Sequence, residues 1–159
     1  MPRTRIYVDI SVFGGVYDEE FAEPSRRFFD RVRSGDFVVL VSEQVTQELA
    51  DAPSAVRSVF EGLPRGYMEE IAVTEEIRLL AHAYLDGGIL GRASRGDAMH
   101  VASATVARAD LIVSWNFRHL VQYDKIQRYN GVNALKGYRA IDIRSPLEVS
   151  YGNHEEKGL

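Results

Sequence analysis

The apolar positions of this chain follow two rhythms. Three runs are short and largely apolar: Arg5–Ile10 (RIYVDI), Phe37–Val41 (FVVLV) and Leu111–Ser114 (LIVS). Each is too short for a helix and rich in β-branched residues, the pattern of strands buried on both faces of a parallel sheet. Met68–Val73 is a weaker strand, suited to an edge, and Ala140–Ile143 a fifth, closed by Pro146. Between these runs the apolar residues recur every three to four positions, as along one side of a helix. Phe28, Phe29 and Val32 form such a stripe, with Arg26, Arg27, Arg31 and Arg33 on the outer face and Gly35 at the end. Ser42 is placed to cap a helix carrying Val45 and Leu49, and Pro53 and Pro64 bracket a short helix over Ala55–Glu61. Thr74-Glu75-Glu76 opens a helix whose stripe is Ile77, Leu80, Ala81, Tyr84 and Leu85, ended by Gly87-Gly88. Asp97 opens another, built of small residues (Ala98, Ala102, Ser103, Ala104, Ala107) suited to close packing on a sheet, and Asp110 breaks it. Gly14 to Pro24 reads as an acidic loop around Asp18-Glu19-Glu20, and Gln122 to Val132 as a short helix plus a loop turning at Asn130-Gly131. The alternation predicts an α/β fold, a parallel sheet covered by helices with right-handed crossovers.

At 159 residues the chain has the length of one domain, expected over residues 1–150, with 151–159 as a disordered tail. A 45% hydrophobic and 26% charged composition suits a folded globule. The lack of cysteine excludes disulfides and thiolate metal sites and points to the cytoplasm. No stretch approaches the roughly 18 apolar residues of a membrane span, and the first ten residues lack the apolar region of a signal peptide, so neither insertion nor secretion is expected. A formal charge of −4 argues against a protein that holds nucleic acid mainly through a broad positive field, but not against one that reaches it through a cation. Of the 19 basic residues only Lys125, Lys136 and Lys157 are lysines. That arginine bias suits bidentate contacts to phosphate, and suits a general compositional preference equally well.

In an open parallel sheet, ligands gather just past the carboxyl ends of the strands. Asp9 ends the first strand, Glu48 lies on the helix after the second, Asp97 begins the helix before the fourth, and Asn116 follows the fourth. All four are expected at one edge. Three carboxylates gathered there repel and raise one another's pKa unless a cation neutralises them. Oxygen ligands of this kind suit Mg²⁺ or Mn²⁺, so Asp9, Glu48 and Asp97 are the expected metal ligands, with Asn116 beside them in the catalytic set. Such an ion supports phosphodiester hydrolysis. Ser11 and Ser114 are candidate donors that hold Asp9. His100, one turn beyond Asp97, can ligate, carry a proton or support the acids from behind. His119, beside Arg118, is either a surface residue or a phosphate contact, and Trp115 either an apolar anchor or a stacking surface for a base. Asp110 falls at the opposite edge, about 20 Å of helix from Asp97, and with Glu43 and Asp142 is assigned a structural role.

The segments Asp9-Ile10-Ser11, SEQVTQELA around Glu48, GDAMHVASA around Asp97, and LIVSWNFRHL at the strand end, in this order and spacing, resemble the PIN domain family. The likeness is greatest to bacterial members related to the VapC-type toxins of toxin–antitoxin pairs and runs from Ile6 to Val149. It implies a three-layer α/β/α fold with a five-stranded parallel sheet in the order 3-2-1-4-5. It also implies a Mg²⁺ or Mn²⁺ site, endoribonuclease activity on single-stranded RNA, a homodimer and, for the toxin branch, a protein antitoxin that blocks the site. By position Asp9, Glu48 and Asp97 match the family's three main acids. Asn116 stands where many members carry a fourth acid, and an amide there brings an oxygen without charge.

Two other readings compete. One keeps the fold but makes it a catalytically weak or inactive module that binds RNA or a protein, which Asn116 favours. The other is a receiver-like domain with an acidic Mg²⁺ pocket. That reading wants paired acids after the first strand and a lysine at the last, whereas no acid adjoins Asp9 and Lys136 precedes the fifth strand.

Overall fold

The computed structural model describes residues 3–89 and 94–151, except for the side chain of Ser94. Strands β1 (Thr4–Val8), β2 (Phe37–Ser42), β3 (Met68–Ile71), β4 (Leu111–Val113) and β5 (Asp142–Arg144) form one parallel sheet in the order β3-β2-β1-β4-β5. This is the α/β class that the alternation predicts and the strand order that the family resemblance implies. Ile6 sits opposite Val39 on one side and Leu111 on the other, so β1 is central, and Ile6, Tyr7 and Val8 are fully buried. At the β3 edge Glu69 and Glu70 are exposed.

The helices fall into two groups. On one side α1 (Ile10–Gly15), α2 (Ala22–Arg33), α3 (Glu43–Ala50) and α4 (Ser54–Glu61) pack on one another. On the other, α6 (Ser94–Val106) lies against β2 and β4, α5 (Glu75–Asp86) runs along α6, and α7 (Tyr123–Leu135) packs on α5. The result is three layers, α/β/α. Because α6 is covered by both the sheet and α5, its Ala98, Val101, Ala102 and Ala104 are all buried, which accounts for the small residues along it.

Four local expectations change. The first strand stops at Val8 rather than Ile10, because the Asp9 carboxylate accepts the Ser11 N–H at 2.6 Å and turns the chain into α1. That helix occupies the start of the expected acidic loop. The next, α2, begins before Pro24, which is tolerated in a first turn where its missing N–H has no partner to lose. The second change concerns α6, which starts at Ser94 and so places Asp97 within its first turn instead of at the cap. Third, α7 runs straight through Asn130-Gly131, where a turn is expected. There Asn130 donates to the Ile141 carbonyl (2.9 Å) and accepts its N–H (2.8 Å), while buried Asn133 accepts the Tyr84 hydroxyl at 2.6 Å. These contacts outweigh the roughly 1 kcal/mol that a helical glycine costs. The fourth lies at the tail. Tyr151 ends a helical turn over 146–151, with the Arg27 guanidinium 4.5 Å above its ring, and the rest of the expected tail falls outside the described residues. Among the described residues no helix is long and apolar enough to cross a membrane.

Candidate functional site

Asp9 sits at the end of the central strand, nearly buried, with both carboxylate oxygens engaged. Oδ1 accepts the N–H and the hydroxyl of Ser11 (2.6 and 2.5 Å), and Oδ2 accepts the Ser114 hydroxyl (2.6 Å). The same serines hold the chain beyond β4: Ser114 Oγ accepts the Asn116 N–H and Ser11 Oγ the Trp115 N–H, each at 2.9 Å. One carboxylate therefore ties the exit of β1 to the exit of β4. Asn116 is linked to Asp9 through Ser114, and its own side-chain oxygen caps the turn by accepting the His119 N–H at 3.0 Å. Trp115 is an anchor. Its ring stacks on Phe21 at 4.1 Å, its indole N–H donates to Ser25 Oγ, and only 6% of it is exposed. The exposed aromatic of this cluster is Phe117.

Glu48 reaches the same edge from α3, whose Val45 and Leu49 are buried. Its Oε1 is buried and accepts no hydrogen bond; the His100 Nε2 atom stands 3.7 Å away. Burial, and secondarily the charge of Asp9, raise the Glu48 pKa above that of an ordinary glutamate. Asp97 is raised as well, by burial first, with His119 pulling it back, Asp9 adding to the rise and Lys125 opposing it. Asp9 thus acts electrostatically on both other acids. Among the described residues, however, no three His, Asp or Glu side chains stand close enough together to grip a metal ion as placed. The edge is a coupled set of acids and not a closed ligand shell.

No family model and no curated protein matches the chain. The chemistry of the edge is therefore read from its own residues.

Behind Glu48 lies a buried polar chain that local sequence patterns do not reveal. His100 Nδ1 is 2.7 Å from the Tyr7 hydroxyl, which is 2.8 Å from Ser42 Oγ, and Ser42 Oγ caps α3 by accepting the Val45 N–H at 3.3 Å. Burial lowers the His100 pKa against the upward pull of Asp9, and burial likewise raises that of the Tyr7 phenol. The one sequence signal for Tyr7 is a tyrosine where a fully buried strand would ordinarily take an apolar residue, since a buried phenol needs a partner. Three other acids serve the frame. Asp110 accepts the Arg5 N–H, Glu43 accepts the Val73 N–H, and Asp142 pairs with Arg144.

Proposed function

We propose that the chain is a Mg²⁺- or Mn²⁺-dependent endoribonuclease of the PIN type that hydrolyses single-stranded RNA. The observation that carries this reading is the set of three acids from three separate elements at one strand edge, where burial first, and the charge of Asp9 after it, raise the proton affinity of Glu48 and Asp97. Gathering such charges is costly without a counter-charge. Asp9, Glu48 and Asp97 would hold the ion. When bound, such an ion would polarise a phosphoryl oxygen and lower the pKa of a bound water.

The protein's own groups prepare that chemistry. Ser11 and Ser114 fix the Asp9 carboxylate in one orientation, from the strand end and from across the sheet. Lys125, whose charge reaches Asp97, supplies positive potential beside the acids. Asn116, with its oxygen given to the His119 N–H, adds no fourth charge, which fits one ion better than two. The reading includes a homodimer and, if the chain belongs to the toxin branch, an antitoxin protein that covers the edge.

The test is incubation of the purified protein with single-stranded and structured RNAs in Mg²⁺, Mn²⁺ or EDTA, beside Asp97→Asn. Metal-dependent cleavage that falls to background in the variant is expected. RNA left intact by the folded protein under every condition overturns the enzyme in favour of the binding module, and retention of labelled RNA on a native gel would then support that module.

A further inference from the structure

We infer that His100 is a positioning residue for Glu48, held with its proton on Nε2 by a hydrogen-bond relay from Ser42 through Tyr7. The consequence for metal binding rests on the reading above; the relay itself follows from counting hydrogens. Ser42 Oγ accepts the Val45 N–H, so its own hydrogen is available to a neighbour, and the Tyr7 oxygen is 2.8 Å away. The phenol has one hydrogen and two bonded neighbours, Ser42 Oγ and His100 Nδ1, and the buried Ser103 hydroxyl beside it can donate to its second lone pair in either polarity.

Two polarities satisfy those contacts. If the phenol donates to Ser42, Nδ1 must carry the imidazole hydrogen to bond the phenol. The bare Nε2 then faces Glu48 Oε1 across 3.7 Å, acceptor against acceptor, and the Ser42 hydrogen is displaced from the chain. If Ser42 donates to the phenol and the phenol to Nδ1, every group is matched. Nε2 then carries its hydrogen 3.7 Å from a carboxylate oxygen that has no hydrogen-bond donor among the described residues. Tyr7 and Ser42 are fully buried and His100 is 6% exposed, so a mismatch would be expensive. The second polarity is the one the structure assigns.

The relay starts at the cap of α3, crosses β1, passes through α6 and returns to Glu48, six residues beyond its origin. It therefore sets the carboxylate relative to the sheet and to Asp9. At 3.7 Å the last link is longer than a hydrogen bond, so the Nε2–H acts on Glu48 Oε1 as a nearby positive dipole and leaves the other carboxylate oxygen for the cation.

The experiment has two arms. In the first, ¹⁵N imidazole resonances of the metal-free protein at pH 8 report the tautomer; Nε2–H with Nδ1 as a hydrogen-bonded acceptor is expected, and Nδ1–H overturns the relay. In the second, affinity for Mn²⁺ alone is read from the EPR signal of the free ion. His100→Gln can place its amide nitrogen where Nε2 stands and should stay within about threefold of wild type. His100→Asn reaches only the Nδ1 position, and Tyr7→Phe deletes the relay while keeping the ring. Each should bind about tenfold more weakly, the lower end for groups that orient metal ligands. Thermal melts establish that each variant is folded, and if His100→Asn is not, Tyr7→Phe carries the comparison. Equal affinity across the folded variants overturns the positioning role. Wild type that shows Nε2–H but takes up no Mn²⁺ overturns the metal reading and the positioning role with it, whereas Mn²⁺ uptake with Nδ1–H removes the relay alone.

Discussion

At Asp97 the fold buries a carboxylate in a place that favours its protonated form. A folded-state pKa above the ordinary 3.8 means that the native state binds the proton more tightly than the unfolded chain. The contribution of this group to stability is therefore fully present below 3.8 and is lost as pH rises through the higher folded value. Asp97→Asn removes the charge at nearly constant shape. In EDTA it should match wild type near pH 4 and be more stable at pH 7.5, by up to about 1 kcal/mol, since solvent at the edge screens part of the charge. Urea unfolding at the two pH values checks this, and a variant equally displaced at both would remove the electrostatic cost. The same variant is expected to lose RNA cleavage, so a gain in stability beside a loss of function would mark an acid kept for chemistry. At this scale the serines around Asp9 were within reach of sequence reasoning, because Ser11 is two residues away and Ser114 ends the strand paired with β1. Tyr7 was not, because its partner His100 is 93 residues along the chain.

Among the elements, α1 shows how packing overrides propensity. Six residues with two glycines make a poor helix on their own. It persists because Asp9 caps it and because Val12, Phe13 and Gly15 are buried. Gly15 is there for space: an added Cβ would lie 2.5 Å from Ser25 Oγ and 2.8 Å from Trp115 Nε1, the pair whose hydrogen bond anchors the tryptophan. Gly15→Ala should therefore destabilise by about 1–3 kcal/mol despite alanine's higher helix propensity. At Gly14, one residue earlier, a Cβ meets nothing within 4 Å, so Gly14→Ala should stabilise by about 0.5–1 kcal/mol. Thermal melts of the pair separate the effects, and two shifts of the same sign would contradict this account of the helix. The Arg-rich face of α2 is likewise set by its surroundings: Arg31 bonds Asp36 and the Val149 carbonyl, and Arg33 bonds Asp30.

For the whole molecule, the proposed ion should act as a stabilising ligand. At a hundredfold excess over its Kd, Mn²⁺ should add about 2.7 kcal/mol. The gain should shrink toward pH 5, because Glu48 and Asp97, with raised pKa values, take up protons in competition with the metal. Scanning calorimetry at pH 7.5 and pH 5, with Mn²⁺ or EDTA, gives the comparison. A melting temperature indifferent to Mn²⁺ at both would count against a metal centre.

The sequence by itself determined the features that depend on neighbours along the chain. Runs such as FVVLV mark strands covered on both faces, the helical stripes between them dictate a parallel sheet in an α/β fold, and strand-end positions bring Asp9 and Asn116 to one edge. Only the tertiary structure decided what depends on residues far apart. It carried α7 through Asn130-Gly131 on bonds to Ile141, withdrew Trp115 into a stack with Phe21, and joined Ser42, Tyr7 and His100 behind Glu48. In each case a hydrogen bond or a packing contact across the fold outweighs a local preference of roughly 1 kcal/mol, and such a partner leaves no periodic trace in the sequence.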